Sequence, residues 1–85
     1  MPKKYIITCT KGRDSRTYDS RPLTLPEAIE YYSYTLECGA SWQHEKGNKK
    51  INRKPATIKG LLTNLNNSAA NGWANQSYAA VEFIG

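Results

Sequence analysis

The chain has 85 residues, 39% of them hydrophobic, and a formal charge of +5. That is enough apolar material for one small core in a single domain, in too regular a pattern for a disordered basic tail. No stretch approaches the ~20 apolar residues of a membrane-spanning helix, and residues 5–9 are too short a run for a signal-peptide core, so a soluble, intracellular protein is expected.

The charge is unevenly placed. Up to Glu45 six basic residues are matched by six acids, whereas from Lys46 onward there are six basic residues and one acid, Glu82. Lys46, Lys49, Lys50, Arg53, Lys54 and Lys59 therefore carry the whole surplus, within one short stretch. A localised basic patch concentrates acidic partners and speeds encounter with them, and it says little about fold. The two cysteines, Cys9 and Cys38, lack C-x-x-C spacing and read as reduced, largely buried thiols.

In chain order, Tyr5-Ile6-Ile7-Thr8-Cys9 is β-branched and aromatic and predicts a half-buried strand. Lys11-Gly12-Arg13-Asp14 has turn chemistry, with Gly12 suited to positive φ, and Arg16-Thr17-Tyr18-Asp19 returns as a more polar strand. Thr24-Leu25-Pro26-Glu27 is a capping box with proline in the first turn. Leu25, Ala28, Ile29, Tyr32 and Leu36 then share one helical stripe, and Gly39 is the expected stop, giving a helix over residues 25–38.

Residues 40–54 fit either an extended hairpin or a long polar loop. Pro55 is expected in the first turn of a second helix with Ile58, Leu61, Leu62, Leu65 and Ala69 on its apolar stripe and Gly72 at its end. Trp73 is expected to fold back onto that helix end, with a break at Asn75-Gln76. Residues 78–84 predict a last strand with Ala79, Val81 and Phe83 on one face. Strand, strand, helix, loop or hairpin, helix, strand implies an α+β fold: a small antiparallel sheet, made of the N-terminal hairpin and the C-terminal strand, with two helices on one face.

Three constellations bear on function. The basic stretch leads into a helix start, where unpaired amides favour anions and Arg53 is able to grip a carboxylate or phosphate by two parallel bonds. Trp42 and His44, just upstream, are candidates for stacking on bases. The plain alternative is a solvated loop whose lysines keep the protein soluble. The second constellation is the outer face of the second helix, where Gly60, Thr63, Asn64, Asn67 and Asn71 lie opposite the apolar stripe. Asparagine costs up to about 0.7 kcal/mol relative to alanine in a helix, so its repetition points to a surface that hydrogen-bonds at close range, with Gly60 admitting a partner. The alternative is a helix that frays after Leu65. The third is Tyr31, Tyr34 and Cys38 on the far side of the first helix, expected to be covered by the segment after Gly39, with a second interface as the alternative.

Catalysis finds little support. His44 is the only histidine, so no histidine-based metal site is expected, His44-Glu45 has no nucleophile tied to it, and there is no glycine-rich phosphate loop. No enzyme activity, metal or cofactor is expected.

Leu23-Thr24-Leu25-Pro26-Glu27-Ala28-Ile29-Glu30, following a hairpin, is similar to the strand–strand–helix opening of several small phage proteins, among them the small phage inhibitors of host RNA polymerase. Gly47-Asn48-Lys49-Lys50-Ile51-Asn52, Thr57-Ile58-Lys59-Gly60-Leu61-Leu62-Thr63-Asn64-Leu65-Asn66-Asn67 and Ala70-Asn71-Gly72 resemble segments of small, mostly uncharacterised proteins of tailed phages and prophages. The resemblance implies an accessory protein acting in the host cytoplasm by binding a host component, in host takeover or against a defence system. The positive charge argues against DNA mimicry. The expected partner is a host protein with an acidic surface, engaged by the six basic residues with Asn64, Asn67 and Asn71. The alternative is a small nucleic-acid-binding protein using the same patch, and a third is an assembly component joined through Tyr31 and Tyr34.

Overall fold

A computed structural model describes residues 2–12, 14–72 and 76–85. β1 (Lys4–Lys11) and β2 (Arg16–Asp19) form the expected hairpin, followed by α1 (Leu25–Tyr31), α2 (Ser33–Ser41), α3 (Ile58–Gly72) and β3 (Gln76–Phe83). β1 lies between its two neighbours in the order β2-β1-β3, and both pairings are antiparallel. The fold class is α+β.

Hydrogen bonding alternates along β1. Cys9 pairs with Tyr18, Ser20 donates its N–H to the Ile7 carbonyl, and Tyr5 and Leu23 exchange two backbone bonds. The Ile7 N–H is received by the Ser20 hydroxyl at 2.9 Å, so a side chain completes the ladder where the chain leaves β2. Odd-numbered β1 residues thus serve the β2 side, and even-numbered ones serve β3. In the hairpin turn a left-handed backbone falls at Ser15, φ 58°.

Ile7, Leu23, Ala28, Leu36, Ala40, Ile51, Leu61 and Leu65 form one buried cluster between the sheet and the helices. Each large aliphatic side chain fully buried there contributes roughly 1.5–3 kcal/mol. Tyr78 and Ala80 turn toward this cluster. Ala79, Val81 and Phe83 do share a face, as their alternation requires, but it is the face away from the helices. Val81 is 64% and Phe83 42% exposed, and Ile84 beyond the strand is 89% exposed, so these three are not core residues.

The capping box forms as expected: Thr24 N–H donates to the Glu27 carboxylate at 2.9 Å, and Glu27 N–H donates to the Thr24 hydroxyl at 3.4 Å. The single helix expected over 25–38 is instead two segments divided at Tyr32, φ −101° and ψ 15°. There the Tyr32 ring meets Tyr78 edge-on, 5.8 Å between centroids. α2 then continues past Gly39 to Ser41, which places Leu36, Gly39 and Ala40 in the interior. Gly39 is therefore not a helix stop. A Cβ there would overlap Ser68, whose Cα would lie 2.7 Å away, so glycine is required by the close approach of α2 to α3.

α3 opens three residues after Pro55. Thr57 takes the capping position, its hydroxyl accepting the Gly60 N–H at 3.0 Å, while Pro55 lies buried ahead of the helix. Threonine supplies the capping oxygen that proline lacks, which moves the start downstream. The helix does not fray after Leu65; Ser68 and Ala69 are buried and it runs to Gly72. The proposed return of Trp73 lies outside the described residues, as does Asn75, and Gln76 already begins β3.

Candidate functional site: a lysine strip anchored by amides

After α2 the chain passes through successive turns, Gln43 N–H to Ala40, Glu45 N–H to Trp42 and Asn48 N–H to Glu45, with Gly47 in the left-handed region at φ 87°. No strand forms in residues 40–54, so of the two readings the irregular segment is the one observed. It is nevertheless fastened along its length. The Asn48 amide donates to the Trp42 carbonyl at 2.7 Å, and the Ile51 N–H donates to the Gln43 side chain at 3.2 Å. Ile51 itself is buried in the core.

The remaining fastenings come from α3. Asn71 brackets Lys49, accepting its N–H and donating to its carbonyl, each at 2.8 Å, and also donates to the Gly39 carbonyl at 3.1 Å. Asn64 accepts the Asn52 N–H at 2.6 Å and donates to the Gly60 carbonyl one turn back at 2.7 Å. At Gly60 a Cβ would press on Pro55 at 3.3 Å and on Thr57 at 3.2 Å. The polar face of α3 thus hydrogen-bonds at close range, as its asparagines suggested, but Asn64 and Asn71 engage the protein's own residues 49–52, and Gly60 admits Pro55. Asn67 is half-buried and has no side-chain hydrogen bond among the described residues.

The consequence is positional. Residues 49–57 run antiparallel to α3, from Asn71 near its end back to Thr57 at its start. At 1.5 Å per residue, the helix between Lys59 and Asn71 spans about 18 Å. The basic residues are therefore spread along a strip rather than gathered at one point. Lys46, Lys49, Lys50, Lys54 and Lys59 are exposed and have no ion-pair partner among the described residues. Arg53 differs, since its Nη1 donates to both carboxylate oxygens of Glu37, at 3.2 and 3.3 Å. This pair is open to solvent and contributes little to stability.

Beside Arg53 and Lys54 a cavity of about 280 Å³ opens over Pro26, Ile29 and Leu36, with Ser33 on its rim. It lies at the α1–α2 break, and its charged walls are mixed, with Glu30 and Glu37 as well as Arg53 and Lys54.

Comparison with protein-family models, curated proteins and solved structures found no match.

The other sequence-derived candidates are placed as follows. Trp42 is half-buried, with its indole against Gly72, where a Cβ would collide with the ring. His44 is exposed in the turn that follows. Tyr31 and Tyr34 are 53% and 75% exposed, so the segment after Gly39 does not cover them. That segment lies along α3 instead, drawn there by the asparagines. Tyr31 meets Tyr32 edge-on at 4.8 Å, and the Arg21 guanidinium lies 5.9 Å from its ring centre. Both cysteines are free thiols, Cys9 buried and Cys38 half-buried. Among the described residues, no helix is long and apolar enough to cross a membrane.

Gln43, Asn48 and Asn66 are polar residues of structural consequence that reading the sequence passed over. Asn66 has an amide that accepts the Tyr78 N–H at 2.9 Å and donates to the Tyr78 carbonyl at 3.2 Å, standing in for a strand on the outer edge of β3.

Proposed function

We propose that the protein is a non-enzymatic binding module that docks an acidic protein surface along the lysine strip. The resemblance to phage accessory proteins supplies the setting: a host protein as partner and the host cytoplasm as compartment. The observation that carries the reading is the fastening of residues 48–52 by Asn48, Gln43, Asn64 and Asn71. The same anchoring also stabilises the fold, and it fixes the backbone that carries the lysines. A fixed backbone presents Lys49, Lys50 and Lys54 with less ordering entropy left to lose on binding.

Arg53 adds a second element, because a partner carboxylate could replace Glu37 as its ligand. The groove over Ile29 and Leu36 receives an apolar side chain beside it. An acidic segment with one apolar anchor therefore fits this surface better than a uniform polyanion. Trp42, upstream of the lysines in the chain, packs on Gly72, which favours protein over single-stranded nucleic acid.

Titration with two defined probes tests this reading: an acidic peptide carrying a central leucine, and a single-stranded oligonucleotide of equal charge. Backbone amide shifts of residues 46–59 should saturate with the peptide, at lower affinity in high salt. Tighter binding of the oligonucleotide, with a steep salt slope, would replace this reading with nucleic-acid binding. Shifts centred on Tyr31 and Tyr34 would remove the strip from the interface.

A further inference from the structure

The two outer edges of the sheet are unlike. β2 is four residues long and carries Arg16 and Asp19 at its ends, a short charged edge of the kind that resists pairing. β3 is eight residues long, contains no proline, and has Glu82 as its only charge. The register of β1 with β3 sets Ser77, Ala79, Val81 and Phe83 opposite even-numbered β1 residues, which face β3. Tyr78, Ala80 and Glu82 therefore direct their N–H and C=O groups outward. Asn66 satisfies those of Tyr78. Those of Ala80 and Glu82 have no partner among the described residues.

The side chains beside this open edge are apolar. Val81 and Phe83 project from the sheet face that bears no helix, next to the half-buried Ile6 opposite Val81. An unpaired strand edge with an apolar flank is a template for strand addition.

We infer that β3 pairs antiparallel with β3 of a second copy of this chain, about a two-fold axis through Val81. Three registers would bring free edges together, and the residues select one. Centring on Glu82 sets like charges face to face, which is unfavourable. Centring on Ala80 requires Tyr78 to give up Asn66. Centring on Val81 confines the pairing to residues 79–83: Ala80 faces the partner's Glu82, and Glu82 faces the partner's Ala80, each pair exchanging two backbone bonds, while the residue opposite Tyr78 is the partner's Ile84, beyond the end of its strand, so Asn66 keeps Tyr78. In that register the partner's Phe83 lies across from the small Ala79, and the two Val81 side chains meet at the axis. Ile6, Val81, the partner's Val81 and the partner's Ile6 then form one apolar row across a continuous sheet.

Two copies that each carry +5 repel one another, and salt screens that repulsion. The strand pairing should therefore tighten as salt is added, opposite to docking of an acidic partner on the lysine strip, so the two readings stand or fall separately.

Sedimentation equilibrium of the full chain across a concentration series, at low and high salt, tests this. The expected result is a monomer–dimer equilibrium whose midpoint concentration falls as salt rises. Val81→Lys places two like charges on the axis and should raise the midpoint by about tenfold or more, with an unchanged melting curve. Should that variant melt early, Ala80→Pro decides, because it removes an edge donor that has no partner among the described residues. Slowed amide exchange at Ala80 and Glu82 on association would locate the contact. A monomer at every concentration and salt would overturn the inference, as would association unaffected by both substitutions.

Discussion

Asn64→Ala separates the structural role of the α3 asparagines from a role in direct partner contact. The substitution removes two hydrogen bonds, the 2.6 Å bond from Asn52 N–H and the 2.7 Å bond to the Gly60 carbonyl. Each is worth about 1 kcal/mol net, and the Asn52 N–H would lose its partner in a part-buried position. Alanine regains about 0.6 kcal/mol of helix propensity. The net loss is therefore about 1.5 kcal/mol, which for a domain of this size lowers Tm by about 6–12 °C. Urea and thermal unfolding followed by circular dichroism measure it. In the same variant, amide exchange at Asn52 should accelerate while that of core strand β1 stays slow up to global unfolding. A stability within about 0.3 kcal/mol of the parent, with Asn52 exchange unchanged, would refute the idea that Asn64 anchors the lysine strip.

Other substitutions probe the α2–α3 contact and the tyrosines. Gly39→Ala forces a Cβ into Ser68 and should cost about 2 kcal/mol or more in urea melts. Ser68→Ala removes a fully buried hydroxyl that has no hydrogen-bond partner among the described residues, and should be neutral or stabilising by up to about 1 kcal/mol. Burial, reinforced by Tyr31, pushes the Tyr32 hydroxyl up to about 12. The folded state thus holds this proton more tightly than the unfolded chain, so the associated stability is complete below pH ~10 and is lost as pH rises toward ~12. Phenolate absorbance should show a late-titrating component that diminishes in Tyr32→Phe, and stability at high pH should fall less steeply in that variant.

How much of this was legible in the sequence follows from where the determinants lie. The hairpin, the Thr24–Glu27 capping box and the apolar stripe of α3 depend on neighbours within a few residues, so local pattern reveals them. The break at Tyr32, whose ring meets that of Tyr78, distant in sequence, carries no local signal. Gly39 read as a stop because glycine commonly ends helices, whereas here Ser68 on another helix demands it. Val81 and Phe83 alternate correctly, but alternation alone does not say which face of a sheet the helices will cover. The asparagines of α3 were visible as an anomaly of propensity. That Asn64 and Asn71 hold residues 49–52, and not a second molecule, required the path of the chain after Ser41. The lysines were plain from charge alone, but their distribution along α3 was not, because it is created by those same amides.

The most direct test of the lysine strip as a docking surface is capture from nuclease-treated bacterial lysate by the wild-type protein and by Lys49→Glu/Lys50→Glu/Lys54→Glu. All three side chains are exposed and unpaired among the described residues, so the variant should melt close to the parent. The wild type should retain a specific host protein after nuclease treatment, and the variant should lose it. Equal capture by both proteins, or capture that vanishes with nuclease, would contradict it.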